Sequence, residues 1–151
     1  MPNTNPIGRI NPLRVLVGGL VAGLIIVAGE YILNVIILGT ELAAWRERCG
    51  LGALTAGQLA AGLVITIVYG VLLIWIYAAI RPRFGPGPKT AVIAGLTFWS
   101  IAYLLFLASL WASGFVTAHF ATVSIAWGLF EAPIAALAGG WLYHEVESPR
   151  Q

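Results

Sequence analysis

Four long apolar runs, at 13–38, 58–80, 90–112 and 119–143, constrain this chain more than any motif in it. Each exceeds the roughly 20 residues that cross a hydrocarbon core about 30 Å thick. In lipid only the chain itself can satisfy its backbone N–H and C=O groups, so runs of this length must be helical. A soluble alternative fails on composition. Of 151 residues, 60% are hydrophobic and 9% charged, against roughly a quarter charged in soluble domains. The sequence therefore predicts an all-α fold, a transmembrane bundle of four helices forming one integral membrane domain over 1–151.

The first run must be told apart from a signal peptide, since Arg9 and Arg14 supply a basic start and Ala28-Gly29 resembles a cleavage site. Its apolar stretch continues through Asn34 to Leu38, well beyond an h-region of about 7–15 residues. It is read as a retained span. Between the second and third runs, Arg81-Pro-Arg-Phe-Gly-Pro-Gly-Pro88 predicts a tight, semi-rigid turn that ends the helix near Ile80. Segment 39–57, with Glu41, Arg46, Glu47 and Arg48, is long enough for a short surface helix.

Arg9, Arg14, Arg81, Arg83, Lys89 and Arg150 fall on one side of these spans, and Arg46 and Arg48 on the other. Six against two predicts an N-in/C-in, multi-pass protein with both termini cytoplasmic. Trp75, Tyr77, Trp141 and Tyr143 are then expected as an aromatic belt at the cytoplasmic interface, and Trp111 near the outer one. A net charge of +2 without a basic stripe gives no reason to expect nucleic acid. The expected partners are membrane lipids and a second copy or another membrane protein.

Val21-Ala-Gly-Leu24 and Ile93-Ala-Gly-Leu96 hint at a weak two-plus-two internal repeat, although small residues recur in any membrane helix. Gly128, Ala132, Ala136 and Gly140 recur every four residues, as do Gly19 and Gly23. Such stripes let helix backbones approach closely, which matters in lipid because no hydrophobic effect drives helices together. Ala56 with Ala60, and Gly57 with Ala61, suggest a further stripe at the start of the second span.

Glu30 and Glu131 lie inside apolar runs. An acid at that depth is costly and normally faces the bundle interior. On a helical wheel Glu30 shares a face with Gly19, Gly23 and Asn34, and Glu131 with Ser124, Gly128, Ala135 and Ala138. With a rise of about 1.5 Å per residue, Tyr69, Ser100 and Tyr103 reach a similar depth. These six residues, Glu30, Asn34, Tyr69, Ser100, Tyr103 and Glu131, form a predicted polar layer. Two uses compete for it: hydrogen bonds that specify which helices meet, or acids that titrate and carry a proton or cation. Pro133 should kink the last helix beside Glu131 and free the Leu129 carbonyl.

No catalytic, cofactor or metal site is expected. His119 and His144 stand about 37 Å apart along one helix and read as interfacial polar residues. Cys49 is the single cysteine, so no thiolate site can form within one chain. Phosphate-binding, zinc-protease and nucleophile-elbow motifs are all missing, and Ser100 and Ser124 have no intramembrane His to act as base.

Gly29-Glu30 with Leu33-Asn34, the loop from Ile80 to Thr90, and Ala126-Trp-Gly-Leu-Phe-Glu131 resemble small uncharacterised bacterial four-helix inner-membrane proteins. The resemblance covers nearly the whole chain and implies a bacterial inner membrane location, with no activity to transfer. Two function classes follow from the residues: a structural or accessory membrane subunit, or an oligomeric proton- or cation-coupled transporter or channel component using Glu30 and Glu131.

Overall fold

The computed structural model describes residues 10–143. Helix α1 (Pro12–Tyr31) runs directly into a π-helical segment (Ile32–Ile37). Surface helix α2 (Gly39–Arg48) follows, then α3 (Ala56–Phe84). Helix α4 (Pro88–Trp99) passes through a second π-helical segment (Ser100–Leu105) into α5 (Phe106–Ala112), and α6 (Ala118–Leu142) completes the chain. Four spans are long and apolar enough to cross a membrane: Pro12–Ile37, Ala56–Phe84, Pro88–Ala112 and Ala118–Leu142. The protein is thus an all-α, multi-pass membrane bundle.

Local chemistry sets the helix ends. Pro12 stands at the start of α1, where its missing N–H is not needed, and the Asn11 side chain accepts from the Arg14 amide. Thr55 and Gln58 form a reciprocal capping box at α3. Thr117 accepts from the Phe120 amide at α6. Gly85, at φ +80°, ends α3, and Gly114, at φ +76°, separates α5 from α6. The turn expected from residue 81 begins later, because α3 continues through Pro82 to Phe84. Proline removes one hydrogen bond from the last turn, yet its fixed φ is helical, and the Arg81 carbonyl still accepts from Gly85.

The spans pack in a closed ring, α1 on α3, α3 on α4, α4 on α6 and α6 on α1. Glycines make the closest seams. Gly70 of α3 lies on the backbone of Gly19 and Gly23, while Gly19 and Gly23 face Val71 and Ile67. Gly18 meets Gly139 across the α1–α6 seam, and Gly95 meets Pro133 across the α4–α6 seam. Gly23 thus packs on the second span and Gly95 on the fourth. Ala132 and Ala136 are buried, Gly128 lies under the Tyr103 ring, and a Cβ at Gly140 would stand 3.4 Å from the Tyr77 ring. Ala56, Gly57, Ala60 and Ala61 are exposed, so the stripe expected there is not covered by the described residues.

The expected aromatic belt divides. Trp75, Trp141 and Trp111 are exposed, but Tyr77 and Tyr143 are buried edge-to-face at 6.0 Å. Their rings support the Arg81 guanidinium at 5.7 and 5.1 Å, and their hydroxyls accept from the Gly87 and Asn11 amides. Cation–π attraction and loop amides thereby hold inside the bundle two tyrosines that composition alone assigns to the lipid interface.

Candidate functional site

The core of the site is one phenol between two acids. Tyr103 stands in the second π-helical segment, and its hydroxyl reaches Glu30 Oε1 of α1 at 2.9 Å and Glu131 Oε2 of α6. Asn34 Nδ2 donates to Glu30 Oε2 at 2.6 Å and to the Glu30 carbonyl at 3.0 Å. Trp127 Nε1 donates to Glu131 Oε1 at 3.2 Å. Each of the four carboxyl oxygens therefore has a hydrogen-bond partner, and the cluster joins the first, third and fourth spans. Proton counting constrains it further. A phenol carries one hydroxyl hydrogen, so it donates to one carboxyl, and the second contact is completed when the other carboxyl carries a proton and donates.

Local backbone geometry brings these groups together. A π-helix bonds each amide to the carbonyl five residues back, as Leu38 N does to Leu33 O at 2.8 Å, and such segments often mark functional sites. Both π-helical segments lie beside the acids: one contains Asn34 and follows Glu30, the other contains Tyr103. In the fourth span Pro133, two residues past Glu131, has no N–H to give the Leu129 carbonyl. All three spans of the cluster thus depart from regular α-helical bonding near the acids. Two glycines provide the room. A Cβ at Gly29 would overlap the Glu131 carboxyl, and one at Gly128 would overlap the Tyr103 ring.

Not every residue of the expected layer joins the cluster. Tyr69 is 43% exposed on α3 and packs edge-on against Phe98 at 5.7 Å. Ser100 gives its hydroxyl to the Leu96 carbonyl of its own helix at 2.8 Å, which satisfies it without a second helix. Depth placed both in the layer, but helical phase turned them away. Glu131 is buried, whereas Glu30 and Asn34 are only half-buried at the bundle surface. Trp127 and Gly29 stand in the motifs that carry the resemblance but were not among the expected layer. Trp127 precedes Glu131 by four residues, so helix spacing could have indicated it; Gly29 carries no comparable signal. Ser124 is buried on the same α6 face as Gly128, and its hydroxyl has no hydrogen-bond partner among the described residues.

At the end of the bundle where α6 begins, α2 is clasped to it. Glu41 accepts from the Thr117 hydroxyl and contacts His119 Nδ1 at 2.9 Å. The Thr117 bond, and after it the His119 bond, hold the Glu41 carboxyl below its usual range. His144 lies outside the described residues, as do Arg9 and Arg150. Among the described residues no three His, Cys, Asp or Glu side chains converge as metal ligands. Arg14, Arg81, Arg83 and Lys89 occupy span ends, so among the described residues no Lys or Arg lies in the middle of a span beside the acids. Comparison with protein-family models, curated proteins and solved structures finds no match to this chain.

Proposed function

We propose that this chain is a structural or accessory subunit of a bacterial inner membrane, in which the Glu30–Tyr103–Glu131 bridge specifies how three spans assemble. The observation that carries this reading is the pairing of all four carboxyl oxygens, two by one shared phenol and the others by Asn34 and Trp127. Interhelical hydrogen bonds in membranes contribute roughly 0.6–2 kcal/mol each, so they choose partners more than they add stability. The reading includes self-association or a membrane-protein partner, no nucleic acid, no cofactor and no enzymatic activity. The half-buried Glu30–Asn34 edge supports an assembly, since a neighbouring span would complete its burial.

A second reading, proton or cation coupling in an oligomer, draws on a different observation. Three irregular backbones surround the acids, and the buried Ser124 hydroxyl lies on the same face without a partner among the described residues. Thermal melts of wild type, Tyr103→Phe, Glu131→Gln and Glu131→Leu separate the two when run beside proton flux into liposomes holding a pH dye. The clamp reading expects Tyr103→Phe to cost about 1–2 kcal/mol. It also expects Gln to be tolerated and Leu to be worse, since the amide keeps size and hydrogen bonding. Flux in wild type that both Gln and Leu abolish, with Gln still folded, would overturn it in favour of coupling.

The orientation in this proposal places both termini in the cytoplasm, supported by the arginine and lysine bias. Cys49 is exposed at the end of α2. A membrane-impermeant thiol reagent should label it in intact spheroplasts, while Phe84→Cys should stay protected until the membrane is opened. The reverse pattern inverts the topology.

A further inference from the structure

Beneath α2, where the first span ends and α5 gives way to α6, lies a cavity of about 300 Å³, within the size range of small-molecule sites. Leu42, Trp45, Leu110, Phe115, Val116 and Phe120 form its apolar walls. Glu41, Thr117 and Arg48 lie at its polar edge. We propose that this cavity holds one acyl chain of an anionic bilayer phospholipid whose phosphate is bound by Arg48.

Location supplies the chain. The cavity sits at the ends of the spans, where the hydrocarbon core meets the headgroup layer and acyl chains are the abundant apolar solute. Hydrogen-bond inventory supplies the head. Each Glu41 oxygen already holds one partner, Thr117 or His119, so the carboxylate is committed to the clasp. Arg48 is exposed and makes no hydrogen bond or ion pair within 4 Å among the described residues, although its charge also acts on Glu41, and its planar guanidinium suits a phosphate in bidentate fashion. Arg46, by contrast, is occupied by the Gly52 carbonyl. The Glu41 clasp sets the roof, because it fixes α2 against the start of α6.

This inference depends on membrane placement and not on the role of the acid cluster, so either can fail alone. The test uses the full chain in phosphatidylcholine vesicles containing brominated-chain phosphatidylglycerol or, separately, brominated-chain phosphatidylcholine. Trp45 emission is taken as the difference between wild type and Trp45→Phe. Quenching should saturate at about fivefold less brominated phosphatidylglycerol than phosphatidylcholine, the factor expected of one interfacial arginine. Arg48→Gln, at an exposed position, should leave the fold intact and merge the two curves. Val116→Phe should fill the cavity and reduce quenching by both lipids. Identical curves in wild type, or a preference that survives Arg48→Gln, would refute the headgroup assignment. A Trp45 signal that neither lipid quenches would remove the acyl chain from the cavity.

Discussion

Gly70→Ala isolates the contact on which the α1–α3 seam depends. The added Cβ would overlap the amide nitrogen and Cα of Gly23 and the carbonyl oxygen of Gly19. All three are backbone atoms, so no side chain can rotate away, and relief requires the helices to separate. The overlap is roughly 1–2 Å against a preferred separation of about 3.5–4 Å. Movement of that size would also lift Gly19 from Val71 and Gly23 from Ile67, losing dispersion contacts along the seam. Overpacking of this kind costs about 1–3 kcal/mol, at the upper end where only backbone can yield. Gly62→Ala is the control: it lies in the same helix, and a Cβ there meets nothing within 4 Å. Both substitutions gain a similar increment of helix propensity, at most about 1 kcal/mol, so their difference reports the seam. The assay is reversible unfolding in mixed micelles by titration with a denaturing detergent, followed by far-ultraviolet circular dichroism. Gly70→Ala should unfold at lower denaturant than wild type, and Gly62→Ala at the same level or higher. Equal midpoints for the two variants would refute the backbone-contact reasoning.

Two further predictions concern other parts of the molecule. Ala136 is fully buried in the α6 stripe, so Ala136→Leu should lower stability by about 1–3 kcal/mol in the same assay. Exposed Ala126→Leu should be nearly neutral, and matching losses at both would count against the packing assignment. The Glu41 clasp should be pH-dependent. Thr117 and His119 depress the Glu41 carboxyl, so the clasp contributes above the unfolded-state value and is lost as pH falls through the lower folded value. Hydrogen exchange of α2 amides, corrected for intrinsic rate, should therefore accelerate below pH of about 4. Glu41→Gln should flatten that profile, and a wild-type profile already flat would dispose of the clasp.

Much of this architecture is legible in one dimension because the bilayer imposes a one-dimensional rule. Any apolar run long enough to span must be helical, so 13–38, 58–80, 90–112 and 119–143 announce four helices before any contact is known. Boundaries were less legible where one rule met another. Pro82 reads as a stop, yet α3 passes through it, because a proline in the last turn forfeits one hydrogen bond without leaving helical φ.

The acid site divides in the same way. Glu30 and Glu131 stand out in the sequence because ionisable groups in lipid are costly and therefore rare, and depth along each helix follows from residue count. Depth does not give azimuth once helices tilt, cross and change pitch. Ser100 and Tyr103 both lie in the same π-helical segment, and Tyr103 reaches both acids while Ser100 bonds its own helix. Tyr69 has the right depth but faces outward. The sequence by itself determined the spanning helices, their number and the presence of two acids within apolar spans, since those follow from local composition and the solvent. Only tertiary structure decided that one tyrosine bridges the acids, that Gly70 and not an outer alanine stripe closes the α1–α3 seam, and that α2 roofs a cavity. Those outcomes depend on which faces of separate helices meet, and that is a property of packing rather than of any one segment.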